Sequence, residues 1–247
     1  METEERFPFY KTAFVLVVLA IIWFFRETIV YNSYKKYFAW ISNKITENVK
    51  EGLKDEKTRL FQVLHDYKDQ QEKNLTILEV GSGAAPNLSF YPANTKVVCL
   101  EPNQHNDSYA NENIKKEGNS ISVDFVHGYA EALPFENETF DIVVCTLVLC
   151  SVEDMKKCLQ EIKRVLRQGG KYVFLEHVGY ENKKSWAWTL QCVMNPLHRV
   201  LFDGCETHRD TETYIMAAGF SDVSVNRFTH KPFPSWIRPC ISGIATK

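Results

Sequence analysis

Residues 75–87 read LTILEVGSGAAPN. Leu75, Ile77, Leu78 and Val80 make a short apolar run of the kind seen in a strand buried on both faces. The run breaks into Gly81-Ser82-Gly83, with Glu79 two residues before the first glycine. Glycines there let the backbone turn sharply and approach a ligand without a side chain in the way. In an open α/β sheet the ligand lies outside the carboxyl ends of the strands. The stretch therefore predicts both a parallel sheet and a binding crevice at its mouth.

A Gly-x-Gly alone also fits an ordinary surface turn, so the next strand matters. Lys96-Val97-Val98-Cys99-Leu100 is a second apolar run, and it ends in Glu101, twenty residues past Gly81. That is where a carboxylate accepts both hydroxyls of a ribose; the plain alternative is an exposed acid at a strand end. Ser82 between the glycines and Asn103 beyond Glu101 join the candidate cofactor-binding set. A dinucleotide site calls for Gly-x-Gly-x-x-Gly/Ala, so that a helix N-terminus meets the pyrophosphate. Here the sixth position is Pro86, and Pro92 cuts the next helix short. A cofactor that needs no pyrophosphate cradle fits better. Glu-x-Gly-x-Gly at a strand end resembles motif I of the class I S-adenosylmethionine-dependent methyltransferases, with Ala85 where that family often has a third glycine.

Beyond Glu101 the pattern alternates. A polar helix over 105–117 precedes a strand at 122–127 and an apolar strand at 140–146. Ser151 and Asp154 read as a capping box for a helix whose buried face is Met155, Cys158, Leu159, Ile162, Val165 and Leu166. Gly169-Gly170 reads as its stop, and 172–176 as a fifth strand. A helix over 211–218 and strands at 222–228 and 241–246 complete the chain. The succession predicts an α/β fold: a seven-stranded, mostly parallel, Rossmann-like sheet with helices on both faces. AEALPF (130–135), FDIVVCT (140–146) and RVLRQGG (164–170) resemble the later class I methyltransferase motifs in order and spacing. The resemblance covers about 75–247. It implies S-adenosyl-L-methionine as cofactor, Ala130 and Glu131 near the adenine, Thr146 beside the cofactor, and an antiparallel seventh strand between the fifth and sixth. Tyr129 departs from it, standing where many relatives have the acid that holds the adenine amino group.

Composition sets the bounds. A chain of 247 residues, 45% hydrophobic and 24% charged, is long enough for one domain with an appendage. A net charge of −2 gives no field to recruit nucleic acid. The seven cysteines (99, 145, 150, 158, 192, 205, 240) show no C-x-x-C pair and no metal spacing, so no metal site is expected. Their odd, unpatterned number favours a reducing compartment.

Upstream, residues 12–25 are fourteen uncharged, mostly apolar residues between Lys11 and Arg26. The leader METEER is acidic, unlike that of a signal peptide. The run is apolar on every face, which favours a membrane anchor over a core helix and leaves open whether it spans or lies in one leaflet. Arg26, Lys35 and Lys36 after it predict a cytosolic location for the rest of the chain. Val30, Tyr34, Phe38, Ile41, Ile45 and Val49 recur at helical spacing, either as packing on the domain or as a lid. A second amphipathic helix carries Leu60, Phe61, Val63, Leu64 and Tyr67. The expected organisation is an anchor over 1–28, amphipathic helices over 29–74 and a cofactor-binding domain over 75–247. Residues 179–209, with Trp186, Trp188, Met194, Leu197 and Phe202, suit a substrate cover, with plain helix packing the alternative for part of them.

The apolar anchor, CTLVLCSV (145–152), EHV (176–178) and Asp203-Gly204-Cys205 together resemble the methyltransferase-like protein seven family. That family comprises membrane-anchored thiol S-methyltransferases of endoplasmic reticulum and lipid droplets. The resemblance implies methyl transfer to small lipophilic thiols at such a membrane, with the catalytic domain facing the cytosol and neither metal nor nucleic acid involved. A thiol of ordinary pKa, about 8.5, is already a few per cent thiolate near neutrality, so a strong base is not required. His177 and Asp203 are the candidates to assist deprotonation, against a plain loop-bonding role for each. Two other readings stay open: a methyltransferase for another apolar acceptor such as a quinone or lipid, and a non-enzymatic lipid-surface protein. Intact Glu79, Gly81, Gly83 and Glu101 argue against the last.

Overall fold

The computed structural model describes residues 9–71, 73–117 and 121–247. The chain divides into two compact units, 1–37 and 38–247. The acidic leader lies outside the described residues. Helix α1 runs over Phe9–Gly52 as one element, so the apolar run and the striped segment expected as separate helices share a single helix. In the first unit Phe14, Val15, Leu16, Val17, Trp23 and Val30 are exposed. Among the described residues no helix is long and apolar enough to cross a membrane.

The second unit holds the sheet. Its strands are β1 (Thr76–Val80), β2 (Thr95–Leu100), β3 (Ile121–Val126), β4 (Phe140–Thr146), β5 (Leu166–His177), β6 (Asp222–Thr229) and β7 (Pro239–Thr246). They lie in the order β3-β2-β1-β4-β5-β7-β6. Strands β1 to β5 pair in parallel, and β7 runs antiparallel to both β5 and β6, as the resemblance implied. Successive residues of a strand face opposite sides, and both sides are covered. Leu78, Val98, Val143, Tyr172 and Phe174 join one core, whereas Ile77, Val97, Ile142, Val144 and Val173 join the other. Burial on both sides is why these strands read as unbroken apolar runs. Each such side chain contributes about 1.5–3 kcal/mol when fully removed from water.

The remaining helices are α2 (Lys54–Gln71), α3 (Asp107–Glu117), α4 (Met155–Val165), α5 (Trp186–Leu201) and α6 (Thr211–Ala217). In the second unit α1 buries Ala39, and Phe38, Ile41 and Ile45 are half-buried. Helix α4 begins at a different cap from the one expected. Asp154 is the N-cap, its side chain accepting from Lys157 N, so Ser151 lies outside the helix. The glycine pair also serves another purpose. Helix α4 stops at Val165, β5 starts at once, and Gly169, with φ +73°, lies where β5 slips register against β4. Lys73 Nζ, Thr76 N and Arg167 Nη1 converge on Asp141, at the start of β4, at 2.7, 2.9 and 2.8 Å. This buried carboxylate pins the amino ends of β1 and β4 and the beginning of β5.

Candidate active site

The site is built on the turn after β1. Gly81 has φ +63°, and a Cβ there would meet Val148 at 2.5 Å, so both backbone and space demand glycine. Gly83 has φ +53° and opens onto space, with nothing among the described residues within 4 Å of the corresponding Cβ position. Gly81 N and Ser82 N both donate to Leu100 O, at 2.8 and 3.2 Å, which fastens the turn to the end of β2. Ser82 is buried in that turn.

Beneath the turn Glu79 is buried, with both oxygens engaged. Asn87 Nδ2 donates to one at 2.8 Å and Tyr91 Oη to the other at 2.8 Å. Lys57 Nζ from α2 donates to Asn87 Oδ1 at 2.7 Å, and Asn87 Nδ2 also reaches Thr146 Oγ1 at 3.0 Å. Burial raises the Glu79 pKa, against the lowering effect of Tyr91, Asn87 and Lys57. Glu79 therefore acts from below, holding the shape of the turn, and Thr146 is tied into the same network.

Glu101 stands at the mouth. Gly83 N donates to its Oε2 and Asn103 N to its Oε1, each at 2.9 Å. A carboxylate has about four lone-pair positions, and besides these two amides the Asn106 side chain also bonds to it, which leaves it short of full satisfaction. Burial raises the Glu101 pKa; the amides of Asn103 and Gly83 oppose the shift, and Asp203 nearby adds to it. Asp203, with φ +47°, is near enough for its charge to act on Glu101. Asn103 is buried, and its side chain accepts from His105 N. Ala130 is buried and Tyr129 is exposed. Glu131 is placed for a further role: its Oε1 accepts from Glu153 N at 2.7 Å, just ahead of α4.

A second group of side chains gathers at the carboxyl ends of β4 and β5. Cys150, His177 and Cys205 are all buried, and their ligating atoms lie within 4.8 Å of one another. His177 Nε2 is 3.0 Å from Cys205 Sγ. Glu206 N donates to Cys150 O at 2.8 Å, and Arg209 Nη1 donates to Leu149 O and Val152 O at 2.8 and 2.6 Å. The two loops are thereby clamped together. Glu176 Oε1 accepts from Val148 N and Leu149 N at 3.0 and 3.1 Å. Burial, then the neighbouring Cys150, push the Glu176 pKa up to about 8. The Cys150 pKa is pushed well up, first by its hydrogen bond with Cys205 and then by burial. Burial would lower that of His177, and Cys150 reverses the sign.

The structure thus brings Gly81, Ser82, Gly83, Glu101 and Asn103 together where the turn after β1 meets the end of β2, with Glu79 and Thr146 joined through Asn87. It sets His177 among thiols. Sequence reading missed Lys57, Asn87 and Tyr91, whose side chains meet Glu79 only through the fold. It also missed the Cys150–His177–Cys205 group, because spacing along the chain says nothing about three residues from three loops. Glu176 had a visible signal: an acid ending the otherwise apolar run Tyr172-Val173-Phe174-Leu175. The open space at Gly83 beside the Glu101 carboxylate fits a nucleoside cofactor with its ribose at Glu101.

Comparison with known proteins agrees. A family model described as a methyltransferase domain matches residues 78–174. Thiol S-methyltransferase TMT1A of Homo sapiens is 35% identical over 217 residues, covering 86% of this chain and 87% of that protein. Thiol S-methyltransferase TMT1B of Rattus norvegicus is 34% identical over 216 residues, with the same coverage. Among solved structures, a methyltransferase from Thermotoga maritima superposes with a TM-score of 0.57 at 18% identity, covering 85% of this chain and 97% of that one.

Proposed function

The chain belongs to the thiol S-methyltransferase family of S-adenosylmethionine-dependent methyltransferases, and we propose that it methylates the sulfur of small lipophilic thiols at a membrane surface. The observation that carries the thiol reading is the extent of the likeness: a match over 86% of the chain reaches beyond residues 75–247 and so beyond the part that binds cofactor. S-adenosylmethionine supplies a methyl group on a positively charged sulfur. The chain's own task is to hold the ribose at Glu101, to shape the turn from beneath through Glu79, Asn87 and Tyr91, and to exclude water from the crevice. A thiolate attacking a cation neutralises charge, which a dry site favours.

The membrane reading draws support from two surfaces, each taken by itself. In the first unit the helix exposes Phe14, Leu16, Trp23 and Val30. In the second, α5 is inverted relative to an ordinary surface helix. Its buried residues include Gln191, Asn195 and His198, whereas Trp186, Val193 and Val200 are 77, 68 and 69% exposed. Gln191 is engaged inward, with Nε2 sharing its two hydrogens among Val178 O, Thr207 O and Trp236 O and Oε1 accepting from Tyr180 N. Exposed apolar faces of this kind mark contact with lipid or protein. We place the protein at endoplasmic reticulum or lipid-droplet membranes, with the second unit in the cytosol.

Two experiments test these statements. In a panel of thiols, phenols and quinones with labelled cofactor, lipophilic alkyl thiols should turn over fastest and glutathione slowly, since a charged acceptor loses water without partners. Below the thiol pKa the rate should follow the thiolate fraction. Faster turnover of a phenol or quinone than of any thiol would transfer the assignment to another apolar acceptor, and no turnover of any acceptor would favour the non-enzymatic reading. Deleting residues 1–28 should release the protein from membranes; continued sedimentation with them would show that this segment is not the main attachment.

A further inference from the structure

Cys150, His177 and Cys205 come from three separate places: the loop after β4, the end of β5 and the loop after α5. Their backbones are fixed before any ligand arrives, by Glu206 N on Cys150 O, by Arg209 on the 149–152 carbonyls, and by the pairing of His177 with Cys240 in β7. All three side chains are buried. His177 is poorly served for a buried imidazole. Nε2 meets a thiol, a weak partner, and among the described residues Nδ1 has no hydrogen-bond partner. Buried polar atoms are almost always satisfied, so this one calls for an explanation.

The geometry points to a site for one thiophilic divalent ion of the zinc class, held by Cys150, His177 and Cys205, with its fourth position open. Zinc takes sulfur at about 2.3 Å and imidazole nitrogen at about 2.0–2.1 Å in a tetrahedron, which places sulfurs about 3.8 Å apart and sulfur and nitrogen about 3.5 Å apart. The observed atoms lie within 4.8 Å of one another, with 3.0 Å between nitrogen and one sulfur. Side-chain shifts of about an ångström or less close the site. Both cysteines lose their protons to solvent on binding, and two thiolates neutralise the ion's charge, so the buried site as a whole is neutral.

Three protein ligands and a free position are the arrangement of a catalytic rather than a purely structural ion. The loop that carries Cys150 also carries Val148, which packs against Gly81 of the cofactor turn. On the thiol reading above, on which this part rests, the fourth position takes the acceptor: R–SH gives up its proton to solvent and its sulfur binds as thiolate. No electron is transferred. The ion then raises the thiolate fraction of acceptors whose own pKa lies above the working pH. His177 accordingly serves as a ligand rather than as a base.

The test uses the full chain in detergent, purified reduced and without chelator. A stoichiometric equivalent of zinc by elemental analysis is expected. Replacement by cobalt(II) should give a sulfur-to-cobalt charge-transfer band, which Cys150→Ser and Cys205→Ser each weaken and Cys192→Ser leaves alone. Should the variants not fold, the wild-type chain still decides the matter: zinc should slow alkylation of Cys150 and Cys205, read by peptide mass spectrometry, and not that of Cys192. Sub-stoichiometric metal together with unprotected thiols would overturn the site, as would a Cys150–Cys205 disulfide in the reduced preparation. Adding a lipophilic thiol should shift the cobalt spectrum; a cobalt site indifferent to thiol would overturn the acceptor role. Absence of thiol methylation in a protein that binds cobalt would refute the proposed activity without touching the metal site.

Discussion

Buried acids lie at both ends of the sheet, and they are treated in opposite ways. At the amino end Asp141 is surrounded by opposite charge. Burial would raise its pKa, but Lys73, the Thr76 amide and Arg167 outweigh that and hold it below the ordinary carboxylate range. At the carboxyl end Glu79, Glu101 and Glu176 are held mainly by amides and hydroxyls, and burial holds all three above it. One end is settled for stability. The other keeps carboxyl groups at a burial cost, and it is there that the turn and the thiol cluster lie. Such local cost is the mark of a working site in an otherwise consistent fold.

The sharpest way to break this contrast is Asp141→Ala. It removes three hydrogen bonds to one carboxylate; Lys73 and Arg167 are partly exposed and return to water, so the loss should be about 2–3 kcal/mol. Urea unfolding should show that loss, while cofactor affinity of the folded protein stays unchanged; weakened affinity would mean that the two ends are coupled. Next comes Glu101→Ala, the converse case. Losing the hydrogen bonds of a charged group to the ribose should cost about 1.5–3 kcal/mol of cofactor binding, tenfold or more. Calorimetry on a folded variant with wild-type affinity would remove Glu101 from the ribose site.

The smallest effect is a difference of slope. The Asp141 pKa is depressed in the folded state, so its contribution is present above the ordinary value of 3.8 and lost as pH falls. The Glu79 pKa is raised, so its contribution is complete below the ordinary value of 4.5 and lost as pH rises through the folded value. The cost of Asp141→Asn should therefore shrink toward acid and that of Glu79→Gln toward neutral pH, measured as urea midpoints across a pH series. Parallel slopes would abolish the distinction.

Much of the fold was legible because both faces of the sheet are covered. Apolar runs such as 75–80, 96–100 and 140–146 have no other stable home, and Gly81 is forced by Val148 as much as by the turn. Boundaries were less legible where tertiary contacts decide them. Asp154 rather than Ser151 caps α4, and Gly169 serves a register slip that only pairing with β4 reveals. The site was half legible. The turn and Glu101 are local in sequence, whereas Lys57 under Asn87, or Cys205 beside His177, exist only once distant segments meet. Helix α5 was less legible for a further reason: the side it buries is the one carrying Gln191, Asn195 and His198, which a pattern of apolar residues does not reveal.

The place of β7 has a consequence for how the protein is made. During synthesis β5 emerges with its backbone edge unpaired, and its partner, residues 239–246, follows only after α5, α6 and β6 have been made. Until then an apolar edge of Tyr172, Val173, Phe174 and Leu175 is exposed to pairing with other chains. The nascent chain is most vulnerable in that interval, and arrival of β7 between β5 and β6 both closes the edge and completes the sheet.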